Sequence, residues 1–528
     1  MIGVPKSYEE AVSSSEKEDW KEAMEREMKS LIENEAFEVV SLPKGKKAVG
    51  SRWVFDLKQD PEGNVIYKAR FVAKGFEQVQ GLDYADTFSP TAKMATIRML
   101  LQVSAEFDLI VHQLDVKTAY LNANIDCEVF VKQPKGFEST NEDEVLVWRL
   151  KKSLYGLKQS GRNWNLLLND FFVDYGFVKS SVDSCLYVKI GNCVMVFVIV
   201  WVDDIVVAAN TKETLDEIKD ALKNRFRMKD LGPISWFLGI EFKQTVEGIE
   251  MHQQHYLKGV LERFNMSECK PRSTPCEQGL DVYESKEESS NNGGDGEIKK
   301  YREIVGSLVY AMTCTRPDLS WVITKLSQHL ANPTRTDWMI VDHVLRYIKA
   351  TSSHKLFYRK STNGLRIQGF SDSDWASNVE DRRSTTGYIF HLNDMGGAIT
   401  WKSRKQPTVA LSSCEAEYMA LSAATQEAMF LQMLANDFGL YSMANVPAPI
   451  RLNGDNQGAL SLAKNPINHN RSKHIDIRYH FIREKYEEKL IELDYVPSGD
   501  NVADLLTKPC TKVSLKKFET TMFGCSQE

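Results

Sequence analysis

An apolar run at residues 194–202 ends in two adjacent carboxylates, Asp203 and Asp204, and a second apolar stretch at 205–207 follows at once. The run is rich in β-branched residues, which predicts a buried strand, a short break and a second strand. Adjacent carboxylates repel each other, and apolar surroundings raise the free energy of ionising them. The pair therefore indicates a bound cation. Mg²⁺ suits it, because Mg²⁺ binds a few carboxylates together with phosphate oxygens. A plain hairpin turn is the alternative, since Asp is common in turns.

A third acid, Asp115, ends another apolar strand, predicted at 110–115. If the two strands are neighbours in one sheet, three carboxylates meet at its edge. Such a cluster suits two divalent ions, which would lower the pKa of an attacking hydroxyl and hold a phosphate in line. The Ser and Cys residues lack a nearby pattern of His and acid, so the chain offers no obvious nucleophile of its own.

A second acidic set lies in residues 365–510. Asp372 follows a strand predicted at 365–371, Glu417 lies in a helix predicted at 414–434, Asp455 follows a strand at 450–452, and Asp504 lies in 501–508. Acids at strand ends and on helices suit a second two-metal site. Solvated surface acids are the alternative for each, and the nearby Asp374 and Glu415 compete with two of them.

Composition restricts the class of protein. The 528 residues predict two to four domains, and 42% hydrophobic content is ample for their cores. A net charge of −6 does not exclude nucleic acid, because binding depends on where the positive charge lies. Nine cysteines without a Cys-x-x-Cys pair argue against disulfides and zinc fingers. The start is charged, and no apolar run reaches the roughly 20 residues of a membrane helix, so we expect a soluble protein without a membrane partner.

Hydrophobic periodicity predicts helices, strands and one polar loop along the chain. A helix carrying Trp20, Met24, Met28, Leu31 and Ile32 comes first, followed by a hairpin of strands at 53–55 and 67–73. Further helices are predicted at 96–107, 162–176, 211–226, 301–313, 321–330 and 338–349, and a further strand at 386–391. Residues 284–296 are rich in Gly, Ser and acids, which predicts a mobile loop.

Five segments carry a resemblance to a known family. In chain order they are YKARFVAKGF at 67–76, LDVKTAYLN at 114–122, SLYGLKQS at 153–160, VDD at 202–204 and FLGIE at 237–241. Together they resemble the reverse transcriptase of copia-type LTR retrotransposon Pol polyproteins. The acidic set of 365–510 resembles the ribonuclease H domain that follows the polymerase in these elements. The resemblance covers nearly the whole chain.

The resemblance implies an α+β fold, a right-hand polymerase with fingers, palm and thumb, followed by a ribonuclease H-like α/β domain with a mixed five-stranded sheet. The implied parts are a helical extension at 1–35, fingers and palm at 36–245, thumb and tether at 246–360, the ribonuclease H-like domain at 361–510, and a C-terminal tail at 511–528.

The implied activity is RNA-directed DNA polymerisation, which copies retrotransposon RNA into DNA, together with hydrolysis of RNA in RNA–DNA hybrids. The implied partners are an RNA template, a DNA primer, the hybrid and deoxynucleoside triphosphates. The implied location is the cytoplasm, in a virus-like particle, with the nucleus as the alternative. The other reading is an inactive or domesticated relic of a retrotransposon that only binds nucleic acid.

The resemblance also assigns metal ligands. Each site would take two Mg²⁺ ions, with Mn²⁺ as the alternative ion. The implied polymerase ligands are Asp115, Asp203 and Asp204, and the implied nuclease ligands are Asp372, Glu417, Asp455 and Asp504. Glu417 is preferred to Glu415 because the sequence EYMA from residue 417 matches the family's helix start, and Asp372 is preferred to Asp374 because it directly follows the predicted strand.

Substrate contacts are implied in the same way. Tyr120 matches the steric gate that senses a 2′-hydroxyl, with a core aromatic as the alternative. Three cations of the implied fingers would neutralise the charge of the triphosphate, and they are Lys68, Arg70 and Lys74. The alternative is that these residues form a solvated face of a strand. Gly156, Lys158 and Gln159 would shape the floor under the templating base pair, and Gly239 lies in the segment resembling the primer grip.

One basic segment and two departures complete the comparison with the family's pattern. The basic segment 471–480 could contact the hybrid backbone, with a plain basic helix face as the alternative. The family usually has Pro where this chain has Gly161, and Tyr or Phe where it has Trp201. Gly161 would loosen a turn beside the substrate.

Overall fold

The computed structural model describes residues 3–59, 64–140, 144–277, 294–378, 380–444, 446–464 and 476–527. Most of the predicted mobile loop (284–293) and the first half of the basic segment (471–475) lie outside these described residues. The end of the predicted loop is a correction, because residues 295 and 296 begin a helix.

The N-terminal part combines two helices with small antiparallel sheets. Its elements are α1 Tyr8–Ser13, α2 Lys17–Glu33, β1 Phe37–Ser41, β2 Ser51–Gln59, β3 Val65–Ala73, α3 Met94–Glu106, β4 Ile110–Val116, α4 Ala119–Asn122, β5 Phe130–Val131 and β6 Leu146–Leu150. Strands β2 and β3 form the predicted hairpin. The predicted apolar face of α2 is buried at Trp20, Met24, Met28 and Leu31, but Ile32 is 62% exposed, which corrects that part of the prediction.

The palm is built on a six-stranded sheet. Its further elements are α5 Ser160–Asp174, β7 Val178–Lys179, β8 Leu186–Gly191, β9 Val194–Trp201, β10 Asp204–Ala209, α6 Lys212–Arg225 and β11 Met228–Pro233. The strand order is β11-β4-β10-β9-β8-β7, with antiparallel neighbours throughout. The apolar run therefore forms β9 and β10, and Val202 and Asp203 lie at the hairpin tip, as the pattern predicts.

A helical region follows, flanked by strands of one sheet. Its elements are β12 Trp236–Phe237, β13 Ile240–Thr245, β14 Gly248–His252, α7 Gln254–Arg263, α8 Asp295–Cys314, α9 Ser320–Leu326, α10 Arg335–Thr351 and β15 Lys355–Tyr358. The sheet order is β12-β13-β14-β15. The implied boundary at 245/246 falls in the turn between β13 and β14, so this sheet spans the boundary between the implied palm and thumb.

The C-terminal domain has a mixed five-stranded sheet, as the resemblance implies. Its elements are β16 Gln368–Ser373, β17 Thr385–His391, β18 Thr400–Lys405, α11 Ser413–Asp437, α12 Leu440–Met443, β19 Ile450–Gly454, α13 Gln457–Lys464, α14 Asp476–Glu487, β20 Ile491–Tyr495 and α15 Lys512–Phe523. The order is β18-β17-β16-β19-β20, antiparallel as far as β16 and parallel beyond it.

Two sequence expectations differ here. The strand predicted at 365–371 is β16 at 368–373, so Asp372 lies within the strand rather than directly after it. The predicted tail at 511–528 contains α15, whose Met522 and Phe523 are buried in the main core. None of the helices in the described ranges is long and apolar enough to cross a membrane.

A buried arginine joins three parts of the chain. The guanidinium of Arg98 on α3 donates to the carbonyls of Thr313 and Cys314 at the end of α8, and to that of Ile399 beside β18. It also lies 4.0 Å from the ring centroid of Trp401. Arg98 is only 4% exposed and its bonds to the Cys314 and Ile399 carbonyls are buried, so water cannot replace its N–H groups at these two carbonyls. The hydrogen bonds of Arg98 thus link the palm, the helical region and the C-terminal domain.

Candidate active sites

Strand pairing brings the first three predicted acids together. In the antiparallel pair of β4 and β10, Asp115 lies opposite Asp204. Asp203 is exposed at the hairpin tip, and its carbonyl accepts a hydrogen bond of 2.8 Å from the Val116 N–H. All three acids line a cavity of about 660 Å³.

The electrostatics of this cavity favour a cation. Burial raises the pKa of Asp204 to about 6, against a 3.1 Å hydrogen bond that its carboxylate accepts from Gln113. Burial, followed by the charge of Asp203, raises the pKa of Asp115. Oxygen ligands that are costly to ionise in the free protein suit a divalent cation, which offsets their repulsion. No sequence pattern selected Gln113, although it lies two residues before Asp115.

A buried tryptophan holds the hairpin tip. Val202 has φ of +56°, a left-handed conformation that is unfavourable for a β-branched residue. Its carbonyl accepts a 2.6 Å hydrogen bond from the indole N–H of Trp164, which is 1% exposed. Trp164 therefore fixes the backbone directly before Asp203. The sequence predicted the helix at 162–176 that contains Trp164, but not this contact.

Three of the predicted substrate-binding residues line the same cavity. They are Lys68, Arg70 and Tyr120. The Arg70 guanidinium lies 5.7 Å from the ring centroid of Tyr155, and the centroids of Tyr120 and Tyr155 are 5.6 Å apart. The cavity also contains residues that the sequence analysis did not select, among them Glu27, Lys58, Tyr155 and Leu238. Glu27 belongs to α2, for which the sequence predicted a helical extension and no part in the site.

Four other predicted contacts lie outside the lining of this cavity. They are Lys74, Gly156, Lys158 and Gln159. The Lys158 ammonium donates to the Tyr84 hydroxyl at 3.1 Å. Gln159 is buried, accepts a hydrogen bond from Gln78 and donates to the carbonyl of Asp83. In this structure Gln159 supports the loop rather than facing the cavity, and contact of the four residues with a substrate stays a prediction.

The two glycines of this loop have different surroundings. Gly156 has φ of +93°, and a Cβ there would lie 2.2 Å from the Ala73 carbonyl oxygen, so the close approach to the end of β3 requires glycine. Gly161 lies in the first turn of α5, where a Cβ would meet the Ser89 hydroxyl at 3.0 Å. Proline is also tolerated in a first helical turn.

The second acidic set forms a triad. Ligand oxygens of Asp372 on β16, Glu417 on α11 and Asp455 after β19 lie within 4.8 Å of one another. Burial raises the pKa of Asp372 and of Glu417, and the neighbouring acids of the set raise both further. The donor set, three clustered carboxylates, suits a divalent cation.

The fourth predicted acid stands beside the triad. Asp504 forms an ion pair with Lys508, and its charge contributes to the raised pKa of Asp372. Thr507 donates a hydrogen bond to Asp372. The sequence analysis missed both partners, although they lie three and four residues after Asp504.

The two competing acids have hydrogen-bond partners of their own, and the choice of metal ligands stays a prediction. Asp374 accepts hydrogen bonds from the Thr385 N–H and the Ser377 hydroxyl, which ties it to the turn after β16. Glu415 accepts a 2.9 Å hydrogen bond from the Leu411 N–H at the start of α11. Both acids have local structural roles, and Asp372 and Glu417 are the pair that joins Asp455.

An antiparallel palm sheet with three carboxylates, joined to a mixed five-stranded sheet with an acidic triad, defines a chain with a reverse transcriptase-type domain and a ribonuclease H-like domain. Residues 34–278 match the family model described as reverse transcriptase (RNA-dependent DNA polymerase). The chain belongs to the copia-type retrotransposon Pol family, as its relatives demonstrate.

Three comparisons describe this relationship. The chain is 38% identical to the retrovirus-related Pol polyprotein from transposon TNT 1-94 of Nicotiana tabacum, over 98% of this chain and 38% of the relative. It is 31% identical to a putative transposon Ty5-1 protein of Saccharomyces cerevisiae, over 60% of this chain and 100% of the relative. A foamy viral protease-reverse transcriptase in complex with RNA/DNA hybrid is similar over 90% of this chain and 54% of the other, with TM-score 0.49 and 12% identity. The chain thus spans well under half of the tobacco relative's length.

Proposed function

We propose that this chain copies an RNA template into DNA at the Asp115, Asp203 and Asp204 site and hydrolyses RNA in the resulting hybrid at the Asp372, Glu417 and Asp455 site. The observation that carries the polymerase proposal is the shared cavity, which joins three carboxylates to Lys68, Arg70 and Tyr120. Carboxylates that can hold a divalent cation and cations that can bind phosphate, together in one cavity, match a bound triphosphate.

The polymerase residues have distinct roles in this proposal. Mg²⁺ held by the three carboxylates would supply the charge that activates a primer hydroxyl and neutralises phosphate. Lys68 and Arg70 bind the β- and γ-phosphates, where charge collects as pyrophosphate leaves. Tyr120 closes the side of the cavity that a ribose 2′-hydroxyl would occupy. Trp164 keeps the backbone before Asp203 in its strained conformation.

The nuclease residues act on a separate strand. Divalent cations held by Asp372, Glu417 and Asp455 would activate water and stabilise the leaving oxygen of the RNA strand. Thr507 orients the Asp372 carboxylate, and Lys508 pairs with Asp504 at the rim of the site. Two independent sites predict two separable activities.

Primer extension on an RNA template with Mg²⁺ tests the polymerase. Asp203→Asn should abolish extension, and chelation with EDTA should do the same. Asp216→Asn on the exposed face of α6 is the matched control and should leave extension unchanged. Purified protein that binds hybrid but extends no primer would refute polymerase function and favour a relic that only binds nucleic acid.

Hydrolysis of an end-labelled RNA–DNA hybrid tests the nuclease. Asp455→Asn should stop cleavage and leave extension largely intact, because Asp455 belongs to the second site alone. Loss of both activities in a folded Asp455→Asn protein would contradict the two-site proposal.

A further inference from the structure

Helix α2 covers the free edge of β3 and supplies a carboxylate to the polymerase cavity. The Arg26 guanidinium donates to the Tyr67 carbonyl at 3.0 Å, and the Phe71 N–H donates to the Glu27 carboxylate at 3.2 Å. Both bonds use backbone groups on the edge of β3 that β2 does not pair. The N-terminal helix therefore packs as part of the fingers, and the hydrogen bond from Phe71 fixes the position of Glu27 along β3.

Glu27 lies on the cationic side of the cavity. It lines the cavity with Lys58, Lys68 and Arg70, and it accepts its hydrogen bond from the same strand, β3, that carries Lys68 and Arg70. Burial raises the pKa of Glu27, and the charges of Arg70 and Lys68 act in the opposite direction. Its Oε1 atom is the one that accepts from Phe71. Among the residues that the structure describes, Glu27 forms no ion pair within 4.0 Å, so it attracts these cations without neutralising either of them by contact.

Two carboxylates act on Lys68. Burial, followed by the charges of Arg70 and Lys58, lowers the pKa of Lys68, and the charges of Asp115 and Glu27 act in the opposite direction. The negative charge of Glu27 therefore reduces the positive potential that Lys68 and Arg70 offer to a bound triphosphate. Glu27 also repels the triphosphate directly. Pyrophosphate, the product that leaves from the same cations, is subject to the same repulsion.

We propose that Glu27 is a positioning residue that weakens the hold of Lys68 and Arg70 on phosphate, so that nucleotides and pyrophosphate exchange readily. This inference rests on the proposed polymerase function, and it assigns to the N-terminal helix a part in nucleotide affinity. A carboxylate at this position weakens the binding of triphosphate, but it also favours the release of pyrophosphate from the same cations.

Glu27→Gln separates charge from structure, because the amide oxygen still accepts from the Phe71 N–H. We expect the KM for deoxynucleotide and the inhibition constant of pyrophosphate each to fall about fivefold, the size expected for one charge several ångströms away in a partly screened site. The kcat should not rise, because product release becomes slower. Glu25→Gln, on the same helix but exposed, is the matched control and should change neither constant.

Two further measurements keep the proposal testable. Glu27→Ala removes the hydrogen-bond acceptor as well as the charge, so its melting temperature should be lower than that of Glu27→Gln. Both variants should have the same lowered inhibition constant for pyrophosphate. An unchanged or higher KM in Glu27→Gln, with normal folding, would overturn the proposal. The proposal would also be overturned if Glu27→Gln lost activity in proportion to a fall in its melting temperature.

Binding of inorganic tripolyphosphate in EDTA, measured by calorimetry, distinguishes failure of this inference from failure of the proposed function. Glu27→Gln should bind tripolyphosphate about fivefold more tightly than the wild type, whether or not the protein extends a primer. Equal affinity in the two proteins would refute the role of Glu27, even if primer extension is robust.

Discussion

Trp164→Phe should damage the polymerase through the backbone before Asp203. The substitution keeps an aromatic ring against Phe226, whose centroid is 5.3 Å from that of Trp164, and removes the indole N–H that binds the Val202 carbonyl. A net hydrogen bond contributes about 1 kcal/mol. A left-handed residue with a side chain costs about 1 to 2 kcal/mol, which the bond helps to sustain. Without the bond, the backbone of Val202 relaxes from its positive φ, and the backbone of Asp203 moves with it.

The expected loss follows from these energies. A penalty of about 2 kcal/mol on the aligned conformation lowers kcat about thirtyfold. The KM for nucleotide should change little, because Lys68 and Arg70 lie on another strand. Primer extension under single-turnover conditions, normalised to folded protein, measures the effect, and hybrid cleavage should be unchanged because the nuclease triad lies in another domain.

A matched control exists in the fingers. Trp20 is as buried as Trp164, but its indole N–H has no hydrogen-bond partner among the described residues. Trp20→Phe should therefore lower the melting temperature and leave kcat unchanged. If Trp164→Phe also loses stability but keeps the wild-type kcat, the hydrogen bond serves only the fold and the reasoning is refuted.

Three further predictions concern other parts of the chain. Asp372→Asn should abolish hybrid cleavage, whereas Asp374→Asn should retain most of it and lower stability by about 1 kcal/mol, since only turn hydrogen bonds weaken; cleavage assays and thermal melts compare the two. Gly156→Ala should cost about 2 kcal/mol or more in a denaturant titration, because it combines a positive φ with a clash at Ala73, and a neutral result would contradict the close approach. Arg98→Met should remove three hydrogen bonds, of which those to the Cys314 and Ile399 carbonyls are buried, and destabilise the fold by about 3 kcal/mol. Calorimetry should then show separate unfolding of the palm and the C-terminal domain, and a single unchanged transition would show that Arg98 does not join them.

Much of the polymerase centre could be predicted from local pattern. The β-branched residues of β9 and β10 predict a buried hairpin, and the acids at its tip have no apolar role there. Asp115 follows the same logic, since an acid at the end of an apolar strand must face an edge of the sheet. These inferences need only the period-two alternation of strands and the cost of burying charge.

Other assignments depended on long-range packing. The sequence pattern favoured Asp372 over Asp374 only because Asp372 was nearer to a predicted strand, and that predicted strand ended two residues before β16 does. Only the fold places Asp372 beside Glu417 and Asp455 and ties Asp374 to Thr385. Likewise, Lys74 and Lys158 share the charge of Lys68, yet neither lines the cavity.

The sequence by itself determined most of the helices, the hairpin of β9 and β10, the candidate acids and the family, because neighbours along the chain specify hydrophobic period, turn chemistry and motif. The tertiary structure alone decided which charges share a cavity. Asp204 lies opposite Asp115 because β10 pairs with β4, and Glu27 lines the cavity with Lys68 and Arg70 because α2 covers the open edge of β3. Contacts between residues far apart in sequence depend on how whole elements bury their apolar faces together, and no local pattern contains that information.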